Sequence, residues 1–224
     1  MGLTLARLWT AAMLLASGAL LYAASWQRWA GACRWGQDHD TFACNVRQDH
    51  LFDFLPPAEP WQPVGHAAEL AGASLLVLAL ALPLLRTALT GRRPGAVAVT
   101  ALLAATLAVI DVGVATLRSG LAGEVVDPVS DDLAFWLWLF VPLGLFVELS
   151  VRCRGWARVA ALFLVLGAPL VGAFSYALGS FDTAPWWEAI SGILTGAGGL
   201  CLLAVAARRP ERRRERAPRS LVAG

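Results

Sequence analysis

An all-α bundle of six transmembrane helices, a polytopic membrane protein with a disulfide-pinned extracytoplasmic first loop, is the fold class this sequence predicts. Three observations predict it. Hydrophobic residues make up 58% of the 224 and charged residues 15%, with a mean hydropathy of +0.61. A soluble domain is nearer half apolar and about a quarter charged. Six runs, near 5–25, 66–89, 96–118, 133–151, 157–178 and 187–207, each reach the roughly 20 mostly apolar residues that a spanning helix needs. Arginines gather at alternate ends of those runs.

The arginines give the orientation. All 18 basic residues are Arg, which with abundant Ala and Leu points to a GC-rich, bacterial coding genome. With the N-terminus inside, the inner segments hold Arg7; Arg86, Arg92 and Arg93; Arg152, Arg154 and Arg158; and seven arginines beyond residue 207, which makes 14 of the 18. The outer segments hold Arg28, Arg34, Arg47 and Arg118 against twelve acids. The positive-inside rule therefore predicts a multi-pass protein of the cell membrane with both termini cytoplasmic. Residues 1–207 form the six-span domain, and 208–224 form an Arg-rich cytoplasmic tail. Anionic headgroups attract such a tail by roughly 1 kcal/mol per basic residue near the surface.

The first run, preceded by Arg7, reads as a span. A cleaved signal peptide ending at Ala23, Ala24 and Ser25 is the alternative, although the run exceeds the usual apolar core of about 7–15 residues. The connection 26–65 is the longest in the chain and carries Cys33 and Cys44. On the oxidising side these pair as a disulfide that orders the loop by about 2–3 kcal/mol. Leu51, Phe52, Phe54 and Leu55 then form an amphipathic lid on the bundle. Pro56, Pro57, Pro60 and Pro63 lead as extended chain to the second run. The loop's arrangement, a Trp and a Gly followed by Cys33 and Cys44 between spans one and two, resembles that of four-span claudin-like proteins. The likeness covers this loop alone, and six runs exceed that family's four, so it assigns no family.

The second run opens with His66 and Glu69, three apart and on one helix face. With His39, His50 and the acids Asp38, Asp40, Asp49 and Asp53 they make an outer imidazole and carboxylate cluster. Its spacing matches no strong metal motif, and the disulfide removes the two best ligands, so no metal is expected. In the third run Asp111 is the one acid well inside a span. Ionised there it would cost on the order of 2.5–3.5 kcal/mol, so it should face the bundle interior or be protonated. Arg118, about two turns outward on the same face, can lean back to it. The fourth run ends in Glu148 and Arg152, an acid-then-base pair at helical spacing. Pro83, Pro142 and Pro169 bend three of the spans. In the sixth run Gly192 and Gly196 allow a close helix contact, within the bundle or between copies. Cys153 and Cys201 should be free thiols, and an aromatic belt explains most of the tryptophans.

No CxxC, TVGYG, GxxxxGK[ST] or intramembrane His is present, so no cofactor is expected, and without Lys a Schiff base is excluded. Two function classes remain. One is a non-enzymatic membrane protein, either an accessory subunit or a small transporter, acting at the outer face with an ion or ligand pathway through Asp111, Arg118 and Tyr176. The other is an enzyme on a lipid, isoprenoid or quinone-like substrate, with Asp111, Glu69 and His66 as catalytic candidates. The first is favoured because only Asp111 is deep. The expected partners are membrane lipids and a membrane protein or second copy of the chain, with no nucleic acid.

Overall fold

A computed structural model describes residues 2–36, 40–129, 133–178 and 184–207, with backbone only for 175–178. The Arg-rich tail 208–224 lies outside the described residues, as do Asp38 and His39. The regular structure among the described residues is helical, a 3-10 turn at His50–Phe52 and eight α-helices: α1 (Leu3–Trp29), α2 (Phe42–Arg47), α3 (Ala67–Thr90), α4 (Ala96–Ala122), α5 (Leu133–Arg152), α6 (Trp156–Leu166), α7 (Pro169–Leu178) and α8 (Trp187–Ala207). Five of them, α1, α3, α4, α5 and α8, are long and apolar enough to cross a membrane.

The fifth apolar run forms two helices of 11 and 10 residues instead of one bent span. Pro169 has no N–H to continue the ladder of α6 and biases Ala168 away from helix, while its fixed φ suits the first position of a new helix. Gly167 N–H closes α6 on Phe163 O at 2.9 Å, and Gly172 N–H opens α7 on Ala168 O at 3.2 Å. Pro83 and Pro142, by contrast, sit inside unbroken helices.

Glycine sets the closest helix contacts. A Cβ on Gly18 of α1 would overlap the Gly192 carbonyl oxygen and stand 2.8 Å from Gly196 N, and one on Gly192 would stand 2.7 Å from Gly18 O. The GxxxG pair thus serves the α1–α8 contact within the chain. Gly199 against Ala11 and Glu188 against Ser25 give the antiparallel register. On its other side α1 meets α3, where Ser74 Oγ donates to Ser17 O at 2.8 Å. Gly72 brings α3 equally close to α4 at Gly113 and Leu117. Helices α5 and α6 complete the circuit from α4 back to α8.

One end of the bundle carries the long loop; at the other, Arg7 Nε reaches Ala88 O at 3.0 Å. The Cys33–Cys44 disulfide is formed, and Thr41 caps the short α2 by accepting from Cys44 N–H at 3.2 Å. Phe54 and Leu55 are buried in the main core with Ala67, Ala68 and Ala71, so this part of the loop is a lid on the bundle. Gln62 N–H bonds to Leu51 O at 2.7 Å, so the proline stretch folds back onto the loop instead of running out extended. Trp9, Trp26, Trp136 and Trp156 are exposed, as a belt requires, but Trp29, Trp138, Trp186 and Trp187 are packed inside.

Candidate functional site

Glu188 stands in the first turn of α8, where a carboxylate meets the positive end of the helix dipole. Three α1 side chains converge on it. Ser25 Oγ and Trp29 Nε1 donate to Oε2 at 3.1 and 2.7 Å, and Arg28 Nη1 donates to Oε1 at 3.0 Å. Their spacing of three and four residues puts them on one face of α1. Arg28 also pairs with Asp53, and its Nη2 donates to the Arg47 carbonyl at 3.3 Å. Arg28 Nε has no acceptor among the described residues; the guanidinium rests on the Trp29 ring, 4.3 Å from its centroid.

Arg28 is 1% exposed and Glu188 0%, so both charges are fully desolvated and depend on each other. Arg47 adds a second cation beside them: burial, and then the charge of Arg28, lower its pKa from the ordinary value. Two arginines and two carboxylates thus sum to zero. Next to them Trp186 Nε1 donates to Cys33 O at 2.8 Å, and the disulfide, Trp29, Trp186 and Ala189 form a small core of their own. Trp186 takes a left-handed φ of 68°, a costly conformation for a bulky residue. It sends one indole to the loop and lets the next, Trp187, press on Gly172 of α7. The cluster is a clamp that joins the first helix, the last helix and the loop.

The residues singled out from sequence lie elsewhere. Asp111 does not face the bundle interior: it is exposed on α4, in a groove of about 670 Å³ closed on the other side by Leu133, Ala134 and Leu137 of α5. Arg118 does not lean back to it but pairs with Asp127. His66 Nδ1 lies 3.0 Å from both oxygens of Glu69, the helix-face pairing expected, and both groups are at the loop end of α3. The hydrogen bond to Glu69, then its charge, raises the His66 pKa above 6.5. Glu69 abuts Gly120 of α4, nine residues from Asp111, which is about 13 Å along the helix. The three catalytic candidates are therefore not brought to one place. The side chain of Tyr176 lies outside the described residues. Among the described residues no three His, Cys, Asp or Glu side chains gather as metal ligands.

At the opposite end Glu148 meets Arg152 Nε at 2.6 Å, as its spacing foretold, and also Arg86 Nη1 of α3 at 2.8 and 3.0 Å. Cys153 follows; burial, then the charge of Glu148, raises its thiol pKa from 9.0, which keeps it in the thiol form.

By sequence Arg28 and Glu188 count among the outer surface charges, and nothing in their local pattern announces that the two meet in a clamp. The available signal was that Glu188 falls inside the sixth apolar run and Arg28 stands three residues past the first, each flanked by Trp. The chain matches no family model, no curated protein and no solved structure. The first loop's likeness to claudin-like proteins thus stays a likeness of one loop.

Proposed function

We propose that this chain is a non-enzymatic accessory subunit that binds another membrane protein through the α4–α5 groove around Asp111. The observation that carries the reading is the position of Asp111. It lies eleven residues, about 16 Å, from the end of α4 at Ala122. With a hydrocarbon core of about 30 Å, this distance supports a position well within the lipid. An ionised carboxylate facing lipid costs on the order of 2.5–3.5 kcal/mol. No ion pair or hydrogen bond from the described residues relieves it. A partner helix bringing an Arg, a Lys or a hydrogen-bond donor into the groove would do so. A second copy docked by two-fold symmetry would instead set Asp111 against Asp111, so a different protein is the better occupant.

In this reading the chain crosses six times, with α6 and α7 together as the fifth crossing, and both termini are cytoplasmic. The first helix is retained, because α3 and α8 pack on it and Glu188 needs its donors. The outer cap, held by the clamp and the disulfide, keeps α1 and α8 in place while α4 and α5 present the groove.

Purification of wild type and Asp111→Leu from native membranes tests this. We expect a stoichiometric membrane protein with the wild type, its loss with the variant, and an unfolding midpoint for the variant that is unchanged or higher. Equal recovery of the same partner with both, or self-association alone, would sink the reading.

A further inference from the structure

The α4–α5 seam opens a second time, at the end away from the loop. This groove, about 630 Å³, is lined by Arg86 of α3, by Gly95 before α4 and Ala96, Val97, Ala98 and Ala101 within it, and by Val141, Gly144, Leu145, Glu148 and Arg152 of α5. Its walls are aliphatic apart from Arg86, Glu148 and Arg152, which pair with one another. Arg86 and Arg152 against Glu148 leave one positive charge in excess. Glu148 engages Arg86 through Nη1 and Arg152 through Nε, which leaves Arg86 Nη2 and the two Nη groups of Arg152 as donors for a further acceptor. The uncapped first turn of α4 adds its backbone N–H groups to the same groove.

We infer that this groove is a site for one anionic phospholipid, with the phosphate held between Arg86 and Arg152 and an acyl chain laid along Val141, Gly144 and Leu145. The pairing of an apolar slot with a basic end is what separates a lipid from a free phosphate: a soluble anion would use the arginines and leave the slot unfilled. A basic pocket between spans at the headgroup level recognises this class of lipid. The inference rests on the chain being in a membrane but not on Asp111 or on any protein partner.

Glycine gives a clean probe. Gly144 lines the slot and a Cβ on it meets nothing within 4 Å, so Gly144→Phe starts a bulky side chain in the open groove and replaces none of the arginines. This matters because the Arg-rich tail 208–224 also attracts anionic lipid.

The test is native mass spectrometry of the full chain, released from detergent with equimolar phosphatidylglycerol and phosphatidylcholine of the same acyl chains. Expected are a phosphatidylglycerol adduct favoured about fivefold or more, a loss of about fivefold in Arg152→Gln, as one basic contact predicts, and loss of the adduct in Gly144→Phe. Inorganic phosphate in excess should not displace it. Equal adducts of the two lipids, or an adduct unchanged in both variants, would overturn the site. Displacement by inorganic phosphate would also overturn it, reassigning the basic end to a soluble anion.

Discussion

Glu188 is the residue on which most of the loop end of the bundle depends. Its removal leaves Arg28 buried beside Asp53, with Ser25 and Trp29 deprived of their acceptor, and breaking a buried pair from one side costs about 3–5 kcal/mol. Glu188→Ala should lower unfolding stability in detergent by that amount and open the loop to protease; an unchanged unfolding curve would remove the clamp from the account. His66 is the opposite case, an exposed group whose pairing is visible mainly in its titration. Its folded pKa is raised by Glu69, so whatever the pair contributes is fully present below the unfolded value and is lost as pH rises through the folded one. A histidine NMR titration should place its midpoint above 6.5, and Glu69→Gln should bring the midpoint down. No movement on that substitution would mean another group sets it. The His66–Glu69 pair followed from spacing alone, because a helix puts residues three apart on one face. The Arg28–Glu188 pair did not, because its members are 160 residues apart and nothing local records which helices become neighbours.

Helices in this bundle are held by close backbone approach where glycine permits it and by polar contacts at their ends. Gly18→Leu forces the α1 and α8 backbones apart and should cost about 1–3 kcal/mol or more, as overpacking does. Gly144→Ala, on an open face, should cost nothing and favour its helix by up to about 1 kcal/mol. Unfolding midpoints of the two variants, measured side by side, check the contrast; similar midpoints would mean that the α1–α8 contact is looser than described. The apolar runs marked the long helices closely, since length and hydropathy are properties of a continuous segment. The split between α6 and α7 needed more than a proline. Three runs contain one, and only Pro169, two residues after Gly167, ends its helix.

Across the whole molecule the loop and bundle act as one unit through the clamp, the lid residues Phe54 and Leu55, and the disulfide. Replacing Cys33 and Cys44 by Ser removes the covalent closure, worth about 2–3 kcal/mol for a loop of this length. The loop should then be cut by added protease near residues 33–48 while helical circular dichroism is kept. Loss of helix on the same substitutions would mean that the disulfide holds the bundle and not the loop alone.

Composition and charge pattern sufficed for the helical membrane class, for the ends of the long helices and for the pairing of two cysteines in the long loop, because each depends on segments short enough to read in order. Only packing decided which face of each helix turns inward. In a soluble helix polarity marks that face; here lipid and core are equally apolar, and the pattern carries almost no rotational signal. For this reason Asp111 turned out to be exposed on α4, while Arg28 and Glu188, read as surface charges, are the most deeply buried ions described in the chain.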